Sequence, residues 1–139
     1  MLFTFNSIEN FNRSYGAFER DVFMKKPFVI LVYATWCGHC KMMRDDWDDA
    51  ASSAKGNHNI VEIESNIYDH LVNNHASEPF AELLSKNVSG FPTILKVDKK
   101  NTTNVSDQRS KQQLDALLSP SKTKTADLLK KYSSLKNQQ

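Results

Sequence analysis

The run Phe28-Val29-Ile30-Leu31-Val32-Tyr33-Ala34 constrains this chain more than any other stretch. A β-strand turns successive side chains to opposite faces, so an apolar run without polar alternation must be covered on both sides. That places the run at the centre of a sheet flanked by helices and makes the fold class α/β. With 139 residues, the chain has room for one domain with a single core. Directly after the run come Thr35-Trp36-Cys37-Gly38-His39-Cys40, which contain the only cysteines.

The neighbouring segments supply the flanking elements. Leu2 to Phe5 alternate as a first strand, and Asn6 with Glu9 forms a capping-box pattern ahead of Ile8, Phe11, Tyr15, Phe18 and Val22 at helical spacing. Met43, Trp47, Ala50 or Ala51, and Ala54 share one face of a helix that begins at Cys37, with Asp45, Asp46, Asp48 and Asp49 largely off that face. Asn59 to Glu64 read as a strand. Residues 67–86 read as helix, interrupted near Ser77-Glu78-Pro79, where the proline suits a new first turn. Two strands around Asp98-Lys99-Lys100-Asn101 form a hairpin, and Arg109 to Ser119 read as a last amphipathic helix stopped by Pro120.

This order puts the cysteine pair just beyond the carboxyl end of a central strand, where sites in open α/β sheets lie. The thiolate is the reactive form of cysteine, and the first turn of a helix offers it free N–H groups and the positive end of a dipole. Cys37, at the helix start, receives both. Cys40 lies deeper on the same side and receives less. Cys37 is therefore the attacking thiol and Cys40 the resolving one. Gly38 lets the backbone approach a substrate, and His39 can set a positive charge beside a thiolate. A zinc site would need a second cysteine pair or a paired-histidine motif, and His58, His70 and His75 are too scattered to provide one. No metal and no cofactor are expected.

Composition narrows the partners. The net charge of +2 gives no sign of nucleic-acid binding, and no stretch approaches the length of a membrane span. The N-terminus lacks a basic, signal-like region and the C-terminus lacks a retention sequence, so the expected location is the cytoplasm or the interior of a particle. Residues 119–139 form a lysine-rich tail after a domain spanning 1–118. Leu128, Leu129, Tyr132 and Leu135 there fit either a short docked helix or a solvated terminus.

Tyr33 to Lys41, Met43 to Ala51, Ser89 to Val97 and Asp107 to Leu118 together resemble a thioredoxin-fold protein, and specifically a catalytic domain of protein disulfide isomerase. The resemblance implies a mixed central sheet flanked by helices. It implies a cis Pro92 beside Cys37, the Phe91 backbone offered to the substrate, and Trp36 as a flat contact surface. It also implies that Gly-His between the cysteines makes the couple more oxidising than a thioredoxin's Gly-Pro.

The chain departs from the family pattern in several places. Leu31 stands where the family has a buried acid, Glu62 where its partner lysine stands, and Asp45 where a proline kinks the helix. The segment from Asn66 to Lys86 is longer than usual. Glu62 is accordingly expected either as an unpaired carboxylate that accepts the Cys40 proton or as a solvated residue on a wetter face with Ile60 and Glu64.

The function expected is thiol–disulfide exchange, as reductase or isomerase, through a redox-active Cys37–Cys40 pair. Trp36, Gly38, His39 and Glu62 would support it, and Trp36, Phe91 and Pro92 would contact substrate. The partners are proteins bearing thiols or disulfides and an unidentified reductant or oxidase. The alternative is a thioredoxin-like binding or structural module in which the long segment and the basic tail matter more than the chemistry.

Overall fold

The computed structural model describes residues 1–118, and the tail face expected over 128–135 lies outside them. The elements run β1 (Leu2–Phe5), α1 (Ile8–Phe18), a π-helical turn (Glu19–Phe23), β2 (Phe28–Tyr33), α2 (Gly38–Ala54), β3 (Ile60–Glu64), α3 (Ser65–Asn74), α4 (Pro79–Asn87), β4 (Thr93–Val97), β5 (Thr102–Asn104) and α5 (Lys111–Leu117). The five strands lie in the order β1-β3-β2-β4-β5. β3 is parallel to both β1 and β2, whereas β4 is antiparallel to β2 and to β5. This is a thioredoxin fold, with β2 in the middle as its apolar run requires.

The two faces of β2 feed two different apolar layers. Phe28, Ile30 and Val32 join Phe5, Phe11, Phe18, Leu71 and Phe80 on the side of α1, α3 and α4. Val29 and Leu31 join Met43, Trp47, Ala50, Ala54 and Leu114 on the side of α2 and α5. The long segment from Asn66 to Lys86 is therefore a structural cover: Ile67, Leu71, Phe80 and Leu84 are buried beneath it, and Pro79 opens α4 as its composition suggests.

Several local expectations need correction. The cap of α1 is Ser7, not Asn6: its hydroxyl accepts from Asn10 N–H, and the Asn10 amide reaches back to the Ser7 backbone. A serine oxygen sits close enough to its own backbone to satisfy that first-turn donor. Strand β3 is buried along its whole length, so Glu62 and Glu64 face no wet side. Glu64 instead caps α3, accepting from Asn66 N–H and from the Ser65 hydroxyl. The peptide bonds Lys26–Pro27 and Phe91–Pro92 are both cis.

Aromatic packing knits the first layer together. Phe18 is fully buried and meets Phe80 edge-on at 4.7 Å between centroids, with Phe3, Phe5 and Phe28 also edge-on to it. Such pairs contribute about 0.5–1.5 kcal/mol each beyond their burial. Truncating the ring leaves a cavity among residues that cannot all move inward. Phe18→Ala should therefore destabilise the domain by about 3–5 kcal/mol in urea unfolding, without altering the cysteine geometry.

Candidate active site

β2 ends at Tyr33 and the chain turns through Ala34, Thr35 and Trp36 into α2. Cys37 N–H donates to Ala34 O at 3.2 Å, which closes that turn and sets the cysteine at the helix entrance. Cys37 is the N-cap, in extended backbone conformation, and its sulfur accepts from Cys40 N–H at 3.2 Å. A first-turn donor that would otherwise lack a partner thus points at the Cys37 sulfur. On its other side Cys37 Sγ–H donates to Phe91 O at 3.5 Å, which brings the cis Phe91–Pro92 segment against the thiol.

The cysteines are unpaired thiols, with Cys37 7% and Cys40 5% exposed. Burial chiefly, then the hydrogen bond from Cys37, pushes the Cys40 thiol up to about 11, while a backbone hydrogen bond at Ala34 and the charge of Arg109 pull the other way. Trp36 is 71% exposed and stands edge-on to Phe91 at 5.8 Å. Gly38 has open space where a side chain would project, so it leaves the approach to the sulfur clear. His39 lies exposed on the first turn of α2 and, with Met42, Met43 and Arg109, lines a shallow cleft of about 200 Å³. Six of the sequence-derived site residues (Trp36, Cys37, His39, Cys40, Phe91 and Pro92) thus gather around the start of α2.

Glu62 departs from its expected state. It is 3% exposed but not unpaired: Trp47 Nε1 donates to Oε2 at 2.6 Å, and Thr4 Oγ1 and Arg44 Nη2 donate to Oε1 at 3.1 and 3.4 Å. A buried carboxylate persists when its lone pairs find donors, and here three side chains from α2 and β1 supply them. Its oxygens join α2 to β3 and β1, so Glu62 is neither the unpaired carboxylate nor the solvated residue expected from the sequence.

Sequence reading missed the wall beside Cys40. Tyr33, Ala34, Thr35, Cys40, Lys41 and Arg44 line an open cleft of about 310 Å³. Arg44, four residues after Cys40, is held there by Asp48 at 3.1 Å, by Glu62, and by stacking 4.8 Å over the Tyr33 ring. The usable signal was the i, i+4 spacing of Cys40, Arg44 and Asp48 on one helix. Among the described residues, no three His, Cys, Asp or Glu side chains converge to hold a metal ion.

Comparison with known proteins agrees with this geometry. The Thioredoxin family matches residues 10–120. A protein disulfide-isomerase A6 homolog of Caenorhabditis elegans is 33% identical over 98 residues, 68% of this chain and 20% of that protein. The first thioredoxin domain of mouse protein disulfide-isomerase A4 superposes with a TM-score of 0.51 at 28% identity, covering 83% of this chain and 71% of that one. The J-Trx1 fragment of ERdj5 superposes with a TM-score of 0.54 at 17% identity, over 83% of this chain and 47% of that one, a likeness of fold.

The chain belongs to the thioredoxin family. It spans a fifth or less of the length of the curated relatives it matches, from 20% down to 12%. The expectation of a cytoplasmic protein is contradicted by the relatives the chain matches, which are protein disulfide-isomerases, mostly proteins of the endoplasmic reticulum.

The asymmetry of the two thiols has a measurable consequence. Alkylation of Cys40, followed by peptide mass spectrometry, should rise with pH toward an apparent pKa of about 11. Because this pKa is raised on folding, the associated stability is present below the unfolded thiol's value and is lost as pH climbs through about 11. Thermal unfolding should accordingly become easier across that alkaline window.

Proposed function

We propose that the protein is a dithiol–disulfide exchange enzyme acting on polypeptide substrates, with reductase or isomerase outcome set by its redox partner. The observation that carries this reading is the capping of α2 by the Cys37 sulfur, with Cys40 N–H directed at it. A thiolate formed there gains a charge-assisted hydrogen bond and the helix dipole.

The steps follow from that placement. Cys37 loses its proton and attacks one sulfur of a substrate disulfide. A Cys37–substrate bond forms, and the other substrate sulfur leaves as a thiolate and takes up a proton. Once ionised, Cys37 can no longer donate to Phe91 O, and that carbonyl, beside Pro92, becomes free for a substrate backbone N–H. Trp36 offers its exposed ring to the same chain. Cys40 then loses its proton to water in the adjoining cleft or to the departing thiolate. It attacks Cys37 Sγ, leaving a Cys37–Cys40 disulfide and a second substrate thiol.

Two electrons and two protons pass to the substrate, and a dithiol reductant restores the pair. In the isomerase outcome a freed substrate thiolate attacks the mixed disulfide before Cys40 does. His39 contributes a donor beside the reacting sulfurs, and Glu62 acts as a positioning residue that holds Arg44 and Trp47. Residues 1–118 suffice for this chemistry, with 119–139 an appendage.

The burial of Ile67, Leu71, Phe80 and Leu84 supports this reading over that of a docking module, since the apolar side chains of the long segment are spent inside the fold. Insulin reduction with dithiothreitol as electron source tests it. Wild type should accelerate precipitation of the insulin B chain, and Cys37→Ser should reduce the rate to that of dithiothreitol alone. A Cys37→Ser variant as active as wild type would refute the assignment.

A further inference from the structure

The cleft beside Cys40 has a charge character that thiol chemistry alone does not require. It is lined by Tyr33, Ala34 and Thr35 from the end of β2 and the turn after it, and by Cys40, Lys41 and Arg44 of α2, the two cations lying one and four residues beyond Cys40. Among the described residues no carboxylate lines it, and none lines the neighbouring cleft bounded by His39 and Arg109. The aspartates of α2 begin only at Asp45. Basic and acidic residues of the helix are thus segregated along its axis, with the basic end at the reacting sulfurs.

The two cations have different parts. Arg44 is offset by Glu62 and Asp48 and pinned over Tyr33, so it is a fixed wall whose Nη1 is buried without an acceptor among the described residues. Lys41 is exposed and makes no ion pair among the described residues, so its charge is uncompensated. A mostly apolar lining that carries two cations suits a short stretch of polypeptide in which a carboxylate side chain follows an apolar one.

We propose that the cleft bounded by Lys41 and Arg44 is a substrate subsite selecting acidic residues next to the disulfide being exchanged. This rests on the exchange activity proposed above and adds the class of polypeptide preferred. The preference is local rather than a matter of mean charge, because the domain up to Ser119 carries about −2 and would by itself disfavour acidic peptides.

The test is single-turnover reaction of the reduced full-length protein with two matched disulfide peptides, one flanked by glutamates and one by lysines. The acidic peptide should react about tenfold faster at low salt, and the advantage should shrink as salt screens it. Lys41→Glu should abolish or invert the preference. Equal rates for the two peptides at low salt, or a wild-type preference that survives Lys41→Glu, would overturn the subsite while leaving the exchange activity standing. Reaction with neither peptide would overturn the exchange activity and the subsite together.

Discussion

A backbone N–H of α2 directed at the sulfur of its own N-cap is the interaction on which the rest of the site depends. Cys40 N–H and Cys37 Sγ are 3.2 Å apart, and that distance holds only while the first turn of α2 is kept at the end of β2. The turn through Ala34, closed by Cys37 N–H, sets the angle of approach. The arrangement separates two otherwise identical side chains: one sulfur caps the helix and faces Phe91, and the other is buried a turn deeper with its thiol pushed up to about 11. One thiol is suited to begin an exchange and the other to finish it.

Holding α2 in place falls largely to a polar contact in an apolar layer. Trp47 is fully buried, and its indole N–H reaches Glu62 on β3, with Thr4 of β1 and Arg44 of α2 completing the set. A carboxylate taken out of water without donors would cost several kcal/mol, so this network has to be nearly complete to persist. It ties the helix carrying the cysteines to two strands of the sheet. Leu31 sits opposite Glu62 in the register and fills the adjoining position with hydrocarbon.

Much of the fold was legible because the signals were local and strong. The apolar run of β2, the cysteine pair at a helix entrance, the Pro79 break and the hairpin before α5 all appear where the sequence puts them. The misreadings share a cause. Alternation of Ile60, Glu62 and Glu64 looks like a half-wet strand, and only the tertiary position of Trp47 and Arg44 reveals that Glu62 is buried and partnered. Asn6 and Glu9 matched a capping pattern that Ser7 and Asn10 fulfil one residue later. Arg44 was hidden inside a run of charge that read as a solvated face. The location inferred from missing targeting signals failed against homologues that are mostly endoplasmic-reticulum proteins, because an absent signal constrains a chain far less than a motif that is present.

The central claim is the division of labour between the two sulfurs, and trapping tests it most directly. Incubated with a disulfide-bonded protein, Cys40→Ser should accumulate a reducible covalent adduct, and peptide mass spectrometry should place the bond on Cys37. Cys37→Ser should accumulate little, since its remaining thiol is buried and hard to ionise. Equal trapping by both variants, or an adduct found mainly on Cys40, would contradict the account.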